Sequence, residues 1–136
     1  MLRLVIGPLL QPTLNLSVEI VIKQIINGDQ TFPSPYRFVD VRDVAYAHIL
    51  AFEVPTASGR YCIVARVTGS AETPKISREC FPTLQLPGKL EDDKPYEPTY
   101  QVSREKAESL GVNFISWEVS LRETIESLKE KGFLSF

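Results

Sequence analysis

Apolar positions along this chain change period several times, and each change marks an element. Leu2, Leu4, Val5 and Ile6, closed by Gly7-Pro8, predict a buried strand over residues 2–6. No wet face is marked by polar alternation, so the strand is expected to be central in a parallel sheet. After the turn-forming L-L-Q-P-T-L-N, residues Val18, Val21, Ile22, Ile25 and Ile26 fall at i, i+3, i+4, i+7 and i+8. That spacing predicts a helix over residues 16–27, stopped by Gly28. The centre of the chain is the stretch 37–53, where the period switches: Phe38, Val39 and Val41 read as a strand, whereas Val44, Ala47, Ala51 and Ile49, Phe52 take helical spacing. Asp43 is expected to cap this helix, Pro55 and Gly59 to end it, and residues 60–64 to form a further strand of the same parallel sheet.

The remainder is less regular. Residues 28–36 read as loop, and 67–80 offer a helical piece, K-I-S-R-E-C-F, which Pro74 keeps from running through from Ala71. Three prolines in residues 86–98 predict an extended surface loop. Residues 100–102 are a candidate strand. Ser103 is placed as the cap of a helix ending at Leu110-Gly111, with Phe114 and Ile115 a short extended piece. A last helix is expected over about 118–131, with Leu121, Ile125 and Leu128 on one face, Trp117 packing it down and Gly132 as its stop.

Composition narrows the class without naming a chemistry. The chain has 136 residues, 43% of them hydrophobic, and a net charge of -2, which suits one globular α/β unit. Lys and Arg are dispersed, so no basic stripe predicts a nucleic-acid surface, and no apolar run approaches the ~20 residues of a membrane helix. Cys62 and Cys80 have neither metal-ligand nor redox-motif spacing. They read as reduced thiols in a cytoplasmic protein, Cys62 as a small hydrophobe on a buried strand. His48 lies mid-helix without a dyad partner. Asp40, Arg42 and Asp43 are explained by capping and ion pairing, and Glu91-Asp92-Asp93 lacks calcium-loop spacing. A buried-type strand beginning almost at residue 1, with few partners for a parallel sheet, reads either as a compact small domain or as the C-terminal portion of something larger. The second is the expectation adopted.

The motifs V-I-G-P-L-L-Q-P-T-L-N, F-V-D-V-R-D-V-A-Y-A-H, A-S-G-R-Y-C and P-T-L-Q-L-P, with the tail S-L-R-E-T-I-E-S-L-K-E-K-G-F, together resemble one family. It is the plant branch of the extended short-chain dehydrogenases that includes cinnamoyl-CoA, dihydroflavonol and phenylacetaldehyde-type reductases. The resemblance implies the C-terminal portion of a Rossmann-type NAD(P)-binding enzyme. Residues 1–28 and 37–80 would be late Rossmann elements and crossover, and 81–136 mainly substrate-binding lobe, all one partial domain. It also implies NADPH as cofactor and a phenylpropanoid-type aldehyde, ketone or CoA thioester as substrate.

Carried over residue by residue, the resemblance puts Leu4 and Val5 behind the nicotinamide and Ser17 near the phosphates, where a helix start favours an anion. Ser17 as an ordinary cap is the competing reading. Leu10, Gln11 and Pro12 match positions lining the substrate cleft, Gln11 offering an amide to a substrate oxygen or simply holding the turn. Other family features are missing from these residues. No two of Gly7, Gly28, Gly59, Gly69, Gly88, Gly111 and Gly132 are three apart, so there is no G-x-x-G-x-x-G phosphate loop. Four positions after each tyrosine stand Asp40, Leu50, Ala65, Tyr100 and Arg104, so there is no Tyr-x-x-x-Lys pair to protonate an alkoxide. No catalytic residue and no metal ligand is therefore assigned, and tight NADPH binding is not expected. The alternative expectation is a non-catalytic module that pairs with itself, through exposed strands, or with a full-length relative.

Overall fold

A computed structural model describes residues 3–27, 36–68, 79 and 102–134. Three strands form one sheet in the order β1 (Arg3–Ile6), β2 (Tyr36–Asp40), β3 (Arg66–Thr68). Helix α1 (Leu16–Asn27) follows β1, and α2 (Val41–Glu53) follows β2. Two further helices, α3 (Glu105–Leu110) and α4 (Trp117–Glu130), complete the described elements. β1 and β2 are parallel with Leu4 opposite Phe38 and Ile6 opposite Asp40. β1 is an edge strand among the described residues rather than a central one.

The expected strand at 60–64 is not formed. Ladder pairing begins at Arg66, and β3 runs antiparallel to β2, with Tyr36 opposite Thr68 and Phe38 opposite Arg66. The reason lies in packing. Val64 is buried, and Ile63 packs on Ala47, Ala107 and Val112, which bind this stretch to α2 and α3 instead of to a strand. Cys62 is accordingly exposed, not part of a buried strand.

Alternation on the strands builds the core. Leu4, Ile6, Tyr36 and Phe38 share one face and meet Ile20 and Val21 from α1 and Trp117, Leu121 and Ile125 from α4. Leu121 and Ile125 come from the helix face expected in the sequence, and Trp117 packs the helix down as anticipated. Phe38 and Trp117 pack with ring centroids 5.5 Å apart, and the Arg66 guanidinium lies 5.4 Å from the indole centroid. Leu128 extends the contact to Leu9 and Val18.

Capping refines the expected boundaries. α1 occupies the anticipated residues, and its cap is Asn15, whose Oδ1 accepts from Val18 N–H at 2.9 Å. α2 starts directly after the strand, so its cap is Asp40, not Asp43; Asp40 Oδ1 accepts from Arg42 N–H at 2.8 Å. Asp43, a turn later and buried, instead accepts from Ile115 N–H at 2.9 Å and ties the α3–α4 connection to α2. Ser103 is not the cap residue of α3, although its Oγ accepts a long bond from Glu105 N–H at 3.4 Å. Gly111, at φ 114°, ends that helix in the left-handed region. Phe114 and Ile115 form no strand. His48 Nδ1 lies 2.7 Å from Val44 O, a local helical contact. Of the helical piece expected after Pro74 only Glu79 is described, in helical conformation; Cys80, the loop at 86–98 and the strand positions Tyr100 and Gln101 lie outside the described residues. No helix among the described residues is long and apolar enough to cross a membrane.

Burial sets a contrast that unfolding measurements can read. Leu121 is fully buried between sheet and α4, whereas Phe52 is 93% exposed. Leu121→Ala is expected to cost about 2–5 kcal/mol, and Phe52→Ala to stay within about 0.5 kcal/mol, both by urea denaturation. Equal losses would mean that α4 does not carry the core.

Candidate functional site

Where β1 ends, the backbone turns away at Gly7 and leaves a groove of about 380 Å³. One wall is Val5 to Gln11, the other Asn15 to Val18, with Val41 closing the end. The turn demands glycine. Gly7 sits at φ 133°, and a Cβ there would lie 3.0 Å from Val41 Cγ1 and 3.2 Å from Asp40 Oδ1. The groove thus lies at the carboxyl end of a parallel strand and beside the first turn of a helix, the position where open α/β sheets bind ligands. The positive end of that helix's dipole favours an anion.

Four of the six residues singled out from the sequence line this groove: Val5, Leu10, Gln11 and Ser17. Leu10 is 84% exposed and Leu16 67%, leaving an apolar rim open to a ligand. Ser17 is not a cap. Its Oγ accepts from Val5 N–H at 3.2 Å and fastens the start of α1 to β1. The Leu4 side chain belongs to the hydrophobic core, and Pro12 is exposed outside the lining. A larger cavity, about 530 Å³, lies on the other side of the Pro8-Leu9 turn, lined by Glu123, Glu126, Ser127, Glu130 and Lys131. Three carboxylates against one lysine suit a phosphate poorly, so the smaller groove is the candidate site.

Behind the turn lies a polar network in which Asp40 and Arg42 have the capping and ion-pair roles expected from the sequence, joined by α4 side chains that the sequence reading did not single out. Asp40 is buried and holds Arg42 by two charge-assisted bonds, from Nε to Oδ1 and from Nη2 to Oδ2, each 2.9 Å. Arg42 Nη2 also donates to Glu123 on α4. Ser120 Oγ donates to Asp40 Oδ2 at 2.7 Å. Further along α4, Thr124 Oγ1 accepts from Gly7 N–H at 2.8 Å and Ser127 Oγ accepts from Leu9 N–H at 2.9 Å. The available signal was a hydroxyl series at i, i+4 and i+7, Ser120, Thr124 and Ser127, on the otherwise apolar face of the last helix.

Burial pushes the Asp40 carboxyl up, but the hydrogen bonds from the Arg42 side chain, Ser120 and the Arg42 N–H outweigh it and hold the pKa below its ordinary value. The bond to Asp40 raises Arg42, which is charged throughout. Asp43 moves the other way: burial raises it, the Ile115 N–H opposes, and the neighbouring Asp40 charge adds to the rise against the pull of Arg42.

No family model matches the chain. Curated relatives do. The cinnamoyl-CoA reductase CAD2 of Medicago truncatula is 57% identical over 131 residues, 96% of this chain and 40% of that protein. Cinnamoyl-CoA reductase 1 of Arabidopsis thaliana is 41% identical over 134 residues, 97% of this chain and 39% of that protein. The chain therefore spans about 40% of the length of these relatives. Among solved structures, vestitone reductase from alfalfa (Medicago sativa) superimposes with a TM-score of 0.81 at 25% identity, over 96% of this chain and 43% of that one. Gre2 of Candida albicans, in complex with NADPH, gives 0.71 at 28% identity, over 95% and 42%.

The two aspartates make opposite contributions to stability against pH. Asp40, with a lowered folded value, contributes stability that is complete above its ordinary value of 3.8 and is lost as pH falls through the folded one. Asp43, with a raised value, contributes stability that is complete below 3.8 and lost as pH rises through the folded one. Asp40→Asn is expected to lose about 1.5–3 kcal/mol at pH 7, the gap to wild type closing at the acid end. Asp43→Asn is expected to exceed wild type at pH 7 and to converge with it near pH 4. Urea midpoints at pH 7, 5 and 3 measure both, and parallel curves for the two variants would contradict the assignment.

Proposed function

We propose, for a chain that matches the C-terminal part of the cinnamoyl-CoA and dihydroflavonol reductase-like family, that it supplies one wall of the nicotinamide and substrate cleft of an NADPH-dependent carbonyl reductase. The substrate class is a phenylpropanoid-type aldehyde, ketone or CoA thioester. The observation that carries this reading is the convergence of Val5, Leu10, Gln11 and Ser17 on one groove at the carboxyl end of β1. NADPH, when bound, supplies the hydride. Val5 would back the nicotinamide, and Ser17 with the first turn of α1 would face a phosphate oxygen. Leu10 and Leu16 would cover an aromatic ring, and the Gln11 amide would donate to a substrate oxygen. The proton for the developing alkoxide and the main pyrophosphate cradle are not among these 136 residues, which hold neither the glycine loop nor the Tyr-x-x-x-Lys pair.

A second reading makes the chain a non-catalytic module that pairs with a copy of itself or with a full-length relative. Two observations favour it. β1 has a strand on one side only among the described residues, and such edges recruit other chains. Leu10, Leu16 and Phe52 also present large apolar surfaces to solvent.

The chain alone is expected to show no substrate-dependent NADPH oxidation with cinnamaldehyde or cinnamoyl-CoA, and no saturable NADPH isotherm at micromolar concentrations by calorimetry. Millimolar NADPH should nevertheless shift the amide resonances of Val5, Leu10, Gln11 and Ser17 while leaving Ile49 and Phe52 in place. Unmoved groove amides would remove the basis of the cleft assignment. For the second reading, sedimentation at tens of micromolar should give a dimer or larger species, and a monomer with a cooperative melt near 60 °C would exclude it.

A further inference from the structure

The groove wall is a turn of backbone, and a turn holds its shape only if its N–H groups are satisfied. Gly7 and Leu9, whose amides no longer pair with a neighbouring strand, donate instead to Thr124 Oγ1 and Ser127 Oγ. Both hydroxyls stand on one face of α4, nearly a turn apart, and both side chains are buried. The Thr124 hydroxyl is itself oriented. It donates to Ser120 O at 2.6 Å, so its lone pairs are left to face the Gly7 N–H. Ser120 in turn donates to Asp40, whose carboxylate oxygens stand 3.2 and 3.3 Å from the place a Gly7 Cβ would occupy. Asp40, Ser120, Thr124 and Gly7 are therefore linked by a chain of hydrogen bonds that joins β2, α4 and the end of β1.

We propose that Thr124 and Ser127 are positioning residues for the candidate groove: α4, more than one hundred residues along the chain, sets the conformation of the wall from Gly7 to Gln11. The functional side of this inference rests on the cleft assignment above. Neither hydroxyl lines that groove; both act through the backbone they hold. Van der Waals contact alone would make Thr124 and valine equivalent, since the two differ by a hydroxyl in place of a methyl. A directed bond makes them different, and makes serine an adequate substitute for threonine.

The test is amide hydrogen exchange by NMR on the 136-residue chain, comparing wild type with Thr124→Val, Thr124→Ser and Ser127→Ala. Thr124→Val should speed exchange at Gly7 at least tenfold, and Ser127→Ala should do the same at Leu9, with amides in the middle of β2 and α4 unchanged. Thr124→Ser should restore the wild-type rate at Gly7. An unchanged Gly7 rate in Thr124→Val, a rise spread evenly over the whole chain, or failure of the serine to rescue would each overturn the inference. A millimolar NADPH titration of the same proteins separates the two proposals. If wild type and Thr124→Ser shift the Val5, Leu10 and Gln11 amides and Thr124→Val does not, the hydroxyl positions a binding wall. If Thr124→Val shifts them as wild type does, the positioning role is excluded. If no protein shifts them, the cleft assignment fails, and the exchange rates alone decide whether α4 sets the turn.

Discussion

A single buried carboxylate sits where the elements around the groove meet. Asp40 ends β2, caps α2, neutralises Arg42 and accepts the Ser120 hydroxyl of α4. A buried, unpaired carboxylate would cost several kcal/mol, so this one is tolerable only while all its partners are present. That requirement propagates. The cap needs the helix to begin immediately after the strand, Arg42 needs to fold back over Asp40, and α4 needs to lie with Ser120 against the strand end. Each condition removes freedom from a different element. Together they fix the corner at which Gly7 must pass with no side chain.

The parts of this fold that depend on period alone were legible in the sequence. α1 has the predicted bounds, and the last helix differs by one residue at each end, because Val18, Val21 and the Leu121, Ile125, Leu128 series leave no other way to bury their faces. The strand expected at 60–64 failed for a reason that periodicity cannot express. Ile63 packs against α2 and α3 and Val64 is buried outside the ladder, and a short apolar run does not distinguish that from a sheet. The cap assignment slipped from Asp40 to Asp43 because both are good cap residues, and the choice depends on where the strand ends, a tertiary matter. Cys62 is exposed for the same reason, since no strand forms there to bury it.

The groove was partly legible, and unevenly so. Val5, Leu10, Gln11 and Ser17, singled out by resemblance, line one groove, whereas the Leu4 side chain turns into the core, since alternation on a strand sends neighbours to opposite faces. The support beneath the groove was not recognised. Hydroxyls on an amphipathic helix ordinarily read as tolerated breaks in an apolar face. Only the three-dimensional path of residues 7–9 shows that Thr124 and Ser127 have backbone donors waiting.

Helix hydroxyls serve here where a strand might have served, and the difference bears on what the site can do. A strand laid along residues 7–9 would satisfy the same N–H groups but would extend the sheet and require its carbonyls to be paired as well. A threonine or serine reaching from a helix accepts the bond and stops. The backbone can then diverge from the sheet at once, and space opens between the turn and the first turn of α1. That space is the groove. Its existence therefore depends on a change of partner from backbone to side chain at Gly7, and glycine is needed there because Val41 and the Asp40 carboxylate leave no volume for anything larger. A local sequence feature, one glycine at a strand end, acquires its meaning from a helix near the other end of the chain.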